Sequence, residues 1–220
     1  MTSPSYSGYR FPADVIHRAI WLYLRFTLSY RDVEELLAER GLEVSYETIR
    51  RWVATFGPRI ARRLRAGRPV PHRRWHLDEM FVRIAGKPMY LWRAVDAEGE
   101  VLEVLVQANR DHRAAAKLMR KLTDKCPAYG AALRDLQLKA RHVRDKRSNN
   151  RAESSHVPVR RRERKLQGFR SPRSAQRFLT MHAATYNNFN VCRHLITART
   201  HRLLRAEAFA AWRDAAAVTG

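Results

Sequence analysis

Residues 75–107, WHLDEMFVRIAGKPMYLWRAVDAEGEVLEVLVQ, decide the fold of this chain. Apolar and polar side chains alternate through Trp75 to Ile84, Met89 to Val95 and Glu100 to Gln107, the period of a strand with one covered face. Turn-forming residues separate the three runs, Ala85-Gly86-Lys87-Pro88 and Asp96-Ala97-Glu98-Gly99, so the spacing predicts two hairpins and an antiparallel meander. In the first strand Asp78 shares a face with His76, Met80, Val82 and Ile84, while Glu79 points the other way with Leu77 and Phe81. Asp78 reads either as a functional acid or as a solvated one on a half-exposed strand.

Downstream, Asp111 is placed to cap a helix through Ala114, Ala115, Leu118, Met119 and Leu122. A helix over about 128–136 and a short strand over about 139–143 should follow. Next comes NNRAESSHVPVRRRERKLQGF, residues 149–169, in which Asn149 or Asn150 can cap a helix. Glu153 then lies in its first turns, and Arg160, seven residues on, falls on the same face. A carboxylate ahead of Arg160, Arg161, Arg162, Arg164 and Lys165 suits phosphate chemistry, although such a run taken alone is more often a solvated surface. Ser171-Pro172 opens a helix bearing Ala175, Phe178, Leu179 and Tyr186, and a last amphipathic helix spans about 200–216.

Upstream the period is helical. Pro12 opens a helix with Val15, Ala19, Leu22, Tyr23 and Phe26 at helical spacing. Ser29 caps a second, with Val33, Leu36 and Leu37 inward and Gly41 as its stop. Ser45 caps a third, with Ile49, Trp52, Val53 and Phe56 inward and Gly57-Pro58 as its end. Three short helices with a tight connection before the last predict a helix-turn-helix unit, exposing Tyr46, Glu47, Arg50 and Arg51 to a DNA groove. A small helical bundle for self-association is the alternative. Between this unit and the meander, Arg59, Arg62, Arg63, Arg65, Arg68, Arg73 and Arg74 occur with no acid among them. The first part of that segment can prolong a helix, but Gly67, Pro69 and Pro71 force an extended strip suited to the phosphate backbone.

The chain has 220 residues, with 43 Lys and Arg against 21 Asp and Glu, a formal charge of +22. Such an excess predicts a polyanionic partner, foremost nucleic acid, although charge alone also fits an acidic membrane surface. No apolar run approaches the ~20 residues of a membrane span, and MTSPSYSGYRF has no secretory core, so a cytoplasmic protein is expected. Cys126 and Cys192 are far apart and support neither a zinc knuckle nor a disulfide framework.

Three segments also carry a family resemblance. Trp75-His76-Leu77-Asp78-Glu79, Thr123-Asp124-Lys125 with Tyr129, and Asn149-Asn150-Arg151-Ala152-Glu153 followed by Arg160-Arg161-Arg162-Glu163-Arg164 resemble, in order, the three acidic motifs of DDE-type insertion-sequence transposases. They are most similar to those of the cointegrate-forming insertion sequence six family, from about Phe11 to Trp212. A lone Asp-Glu carries no signal, whereas three motifs in order with a basic helix behind the last are specific.

The resemblance implies an α/β chain with a helix-turn-helix unit at 1–58, a basic linker at 59–74, a ribonuclease-H-like catalytic domain with a mixed sheet and flanking helices at 75–190, and a helical tail at 191–220. It implies that Asp78, Asp124 and Glu153 are the catalytic, metal-binding set for two Mg²⁺ ions, with Mn²⁺ able to substitute. Cutting a phosphodiester with two such ions, about 3.5–4 Å apart, calls for oxygen ligands. DNA contacts are expected from Tyr46, Arg50, Arg51, Arg62, Arg63, Arg73, Arg74, Arg160, Arg161, Arg162 and Arg164. The implied reaction is binding of terminal inverted repeats, cleavage, and transfer of a 3′-hydroxyl to target DNA. Holding two ends together requires at least a dimer on DNA, with no membrane involved. The alternative is a catalytically inactive DNA-binding protein derived from a transposase. One expectation concerns a defect: the helix capped by Asp111 meets Thr123-Asp124 directly, leaving no room for the fourth strand that should carry Asp124, and implying a missing loop and strand of about a dozen residues.

Overall fold

The computed structural model describes residues 6–68, 72, 74–125, 150–191 and 196–217, with side chains described except at 123–125 and 150–153. The helix expected near 128–136, the strand near 139–143, and Arg73, Cys126, Tyr129, Asn149 and Cys192 lie outside the described residues. The chain forms two compact units, Met1–Pro69 with Thr180–Gly220, and Val70–Leu179. The segment assigned to the end of the second domain by sequence, 180–190, therefore groups with the first unit, as does the C-terminal helix.

In the first unit, helices α1 (Ala13–Arg25), α2 (Tyr30–Ala38) and α3 (Tyr46–Ala66) form as the caps predict. Ser29 and Asp32 make a reciprocal capping box at the start of α2, with N–H to oxygen distances of 2.9 and 3.1 Å. Gly41 ends that helix in the left-handed conformation that a glycine adopts without steric cost. The buried stripe of α1 is Ile16, Ala19, Ile20, Tyr23 and Leu24, rotated from the predicted one; Phe26 lies outside the helix and is exposed.

The expected end of α3 at Gly57-Pro58 does not occur, and the helix runs on to Ala66. Proline clashes with the Cβ of the residue before it and disfavours a helix there, but Gly57 has no Cβ. An added Cβ at Gly57 would also lie only 2.6 Å from Met181 Sδ, so the glycine serves a close approach rather than a stop. Beyond the proline, Ile60 and Leu64 are buried. Each such side chain contributes about 1.5–3 kcal/mol, and the two together match or exceed the cost of about 3 kcal/mol for an internal proline. Arg59, Arg62, Arg63 and Arg65 consequently belong to this helix, the prolongation that the first part of the basic segment allows.

The second unit holds a three-stranded antiparallel sheet, β1 (Trp75–Ile84), β2 (Lys87–Asp96) and β3 (Val101–Gln107), in the order β1-β2-β3. The first turn is tighter than predicted: Ala85 and Gly86, both at positive φ, alone connect the strands. A two-residue hairpin between right-twisted strands demands that conformation. The second turn is organised by Asp96, whose carboxylate accepts from the N–H groups of Glu98 and Glu100 at 2.9 Å and of His72 at 3.2 Å. Asp96 is thus a structural acid, as its turn position predicts.

Helix α4 (His112–Lys125) starts where Asp111 accepts the Ala114 N–H at 2.8 Å. Its Leu118 and Leu122 pack with Ala94, Leu102 and Leu105, against Trp75 and Trp92. By the register Trp75↔Asp96, Leu77↔Ala94 and Glu79↔Trp92, this is the sheet face that carries Leu77 and Glu79. Helix α5 (Asn150–Lys165) packs on β1 and β2 and meets the opposite face, that of Asp78. After it, Phe169 makes a parallel bridge to Ile84, and α6 (Pro172–Phe189) begins. The Gln176 amide accepts from Val106 N–H at 2.9 Å and donates to Val104 C=O at 2.8 Å, closing the outer edge of β3. The second half of α6 and helix α7 (Ala198–Ala216) belong to the first unit, where Trp212 is wholly buried and Asn188 donates to the Ala208 carbonyl.

Candidate active site and basic surfaces

Asp78 lies midway along β1 on the covered face, with Met80, Val82 and Ile84 buried beyond it. Opposite it in β2 stands Arg93, wholly buried. From α5, His156 Nε2 lies 3.0 Å from Asp78 Oδ2, and the side chains are 10% and 20% exposed. His156 follows Glu153 by three residues, so the turn of α5 that carries residue 153 is the one drawn toward β1. Sequence reasoning passed over His156; its signal was its place one turn after an acid, on the same helix face. Glu79 is set apart as predicted, on the other face and ion-paired with Arg110.

Asp124 is not on a strand. It falls in the last turn of α4, which runs unbroken from His112 to Lys125 and packs on the face opposite that of Asp78. Among the described residues, β1 is an edge strand of the sheet, bridged on its outer side to Phe169 at its far end. No cluster of three metal-binding side chains occurs among the described residues, a set that excludes the side chains of Asp124 and Glu153.

The basic run on α5 divides by face. Arg161, Arg164 and Lys165 are exposed. Arg160 is 41% exposed and donates to Glu163 at 3.1 Å. Arg162 departs from the expectation of a DNA-facing cation: it is 2% exposed, with its guanidinium 5.1 Å from the centre of the Phe178 ring. The reason is helical phase, since Ser155, Val159 and Arg162 recur on the buried stripe.

In the first unit, Tyr46 is 41% exposed beneath the Arg31 guanidinium. Arg50 grips Glu47 through two nitrogens at 2.6 and 2.8 Å, and Arg51 stands 3.5 Å from the same carboxylate. The Arg50 hydrogen bonds hold the Glu47 carboxyl down to about 2, and the Arg50 guanidinium is raised in return. Arg62 is exposed, whereas Arg63 donates to the Ala217 carbonyl at 2.8 Å. Arg74 is exposed, its backbone N–H bonded to His72 Nδ1. Among the described residues no helix is long and apolar enough to cross a membrane.

A DDE domain family, DDE_Tnp_IS240, matches residues 72–190. The chain is similar to the transposase for insertion sequence-like element IS431mec of Staphylococcus aureus, 32% identical over 181 residues that cover 75% of this chain and 81% of that protein. It is also similar to the transposase for insertion sequence element IS257 in transposon Tn4003 of the same species, at 31% identity over the same coverage.

Proposed function

Since this chain belongs to the DDE transposases of the insertion sequence six family, we propose that it binds the terminal inverted repeats of an element and cleaves and transfers DNA strands at a site formed by Asp78, Asp124 and Glu153. The observation that carries this reading is the contact between Asp78 and His156, which joins the strand of the first acid to the helix of the third. A ribonuclease-H-like arrangement, in which acids from separate elements converge on one side of a sheet, accounts for that contact.

The donor chemistry fits a hard divalent cation at two of the three positions. Asp78, one of whose oxygens is engaged by His156, and Glu153, on the helix packed against it, would hold Mg²⁺ or Mn²⁺. A cation held there would supply the charge that activates an attacking hydroxyl and offsets the charge on the leaving oxygen. Arg160, two turns beyond Glu153, holds a phosphate of the bound end. Asp124 fits less well, because α4 lies on the other sheet face. We therefore assign this copy weak cleavage, with DNA binding retained.

Binding rests on α2 and α3 as a helix-turn-helix pair. Tyr46, Arg50 and Arg51 read the groove, and Arg62, Arg63, Arg73, Arg74, Arg161 and Arg164 engage phosphates; Arg162, being buried, leaves the set. The protein acts as at least a dimer, since two ends are joined. If ~6–10 phosphates are neutralised, affinity falls by ~10³–10⁵ between about 50 and 200 mM salt.

The test is nicking and strand transfer on element-end duplexes in Mg²⁺. Slow cleavage, abolished by Asp78→Ala, Asp124→Ala and Glu153→Ala alike, is expected; activity that survives all three refutes the site. The place of Asp124 on a helix favours one second reading, a transposase-derived binding protein without catalysis. Selective end binding in EDTA with no nicking in Mg²⁺ or Mn²⁺ would establish it.

A further inference from the structure

A strand-borne carboxylate does not fix its own orientation, because the torsion that turns its oxygens is broad and soft. Metal-binding carboxylates are therefore usually hydrogen-bonded from a second residue, which holds one oxygen and presents the other. We infer that His156 is such a positioning residue: its Nε2–H holds Asp78 Oδ2, leaving Oδ1 to face the cation, and ties the Glu153 turn of α5 to β1. The inference rests on the reading of Asp78 as a metal ligand.

The ring nitrogens decide between positioning and direct ligation. An ionised carboxylate only accepts, so the nitrogen facing Asp78 must carry the proton. The other, Nδ1, is buried and has no hydrogen-bond partner among the described residues. One nitrogen is spent on Asp78 and the second is sealed from solvent, so neither is open to a cation. His156 then acts through Asp78. Ser155 and Val159, buried beside it, show that this turn of α5 lies against the protein.

The experiment uses the full chain and titrates Mn²⁺ by electron paramagnetic resonance, with Asp78→Asn, His156→Leu and His156→Gln beside the wild type. Asp78→Asn should abolish tight binding. His156→Leu should weaken it by about 10–100-fold, the usual effect of losing such a support. His156→Gln, which restores a donor near the Nε2 position, should recover most of the loss, and no directly bonded nitrogen should be seen in the Mn²⁺ spectrum. Far-ultraviolet circular dichroism should be the same for all four proteins, which reports an intact fold.

Wild-type Mn²⁺ affinity in His156→Leu, or a nitrogen bonded to the metal, overturns the inference. If Asp78→Asn also binds as wild type, or if the wild type binds no Mn²⁺, the proposed site falls with it; if only Asp78→Asn loses affinity, the site stands and His156 alone is misassigned. Nitrogen-15 NMR of the metal-free wild type needs no variant to fold. A His156 ring protonated at Nε2 is expected, and one protonated at Nδ1 alone refutes the contact.

Discussion

Arg162 and Arg161 are neighbours in sequence with opposite duties in the fold, and exchanging each for alanine separates them. Arg162 is almost wholly buried with its guanidinium over Phe178, whereas Arg161 is exposed. A desolvated cation–aromatic contact is worth about 2 kcal/mol, and the apolar stem of a buried arginine adds packing of similar kind. Arg162→Ala should therefore cost about 2–4 kcal/mol, which for a unit of this size lowers the melting temperature by roughly 8–20 °C. Arg161→Ala should leave melting unchanged. On DNA the order reverses: each lost phosphate contact lowers the slope of log affinity against log salt by about 0.9. Arg161→Ala should show that drop, and Arg162→Ala, assayed well below its melting point, should keep the wild-type slope. Thermal unfolding and salt-titrated binding to an element-end duplex suffice. An Arg162→Ala protein that melts like the wild type but binds with a shallower salt slope would refute the assignment of Arg162 to the core.

Three further outcomes are expected. Inserting a loop and an apolar strand before Thr123 should raise Mg²⁺-dependent cleavage without changing end binding; full strand transfer by the unaltered chain would show that no strand is missing. Ala85 is a non-glycine residue held at positive φ, a strained conformation that asparagine tolerates. Ala85→Asn should therefore raise stability by several tenths of a kcal/mol, and a lower denaturation midpoint would contradict it. Glu47, depressed from 4.5 to about 2 by Arg50, favours the folded state above the ordinary carboxylate range and loses that contribution as pH falls through about 2. The effect on stability is small, since the pair is exposed, so the measurement is the Glu47 carboxyl shift by NMR, and a midpoint near 4 would show that the pair does not persist in solution.

What is legible in the chain follows from how local each determinant is. The strands can be read because a period of two survives whatever lies on the sheet, and β1 begins at Trp75 and ends at Ile84 as the alternation predicts. Caps at Ser29, Ser45 and Asp111 are equally local and are found where the side chains suggest. Gly57-Pro58 misleads because its outcome depends on partners remote in sequence: Met181 fills the space a side chain would take, and buried residues past the proline carry the helix on. Arg162 misleads for a related reason, since composition counts its charge while helical phase buries it. At the candidate site, Asp78 can be set apart from Glu79 by parity alone. His156 could not be matched to Asp78, because nothing in a sequence reports which ring nitrogen meets which carboxylate across 78 residues.

The Gln176 amide, bridging Val106 N–H and Val104 C=O, gives the sheet a direction of growth. One border is finished by the chain itself, with a side chain standing in for a neighbouring backbone. The other border of the sheet is β1, which among the described residues pairs with one strand, β2. A strand added beyond β3 would first have to displace that amide. A strand added beyond β1 would instead lie beside Asp78.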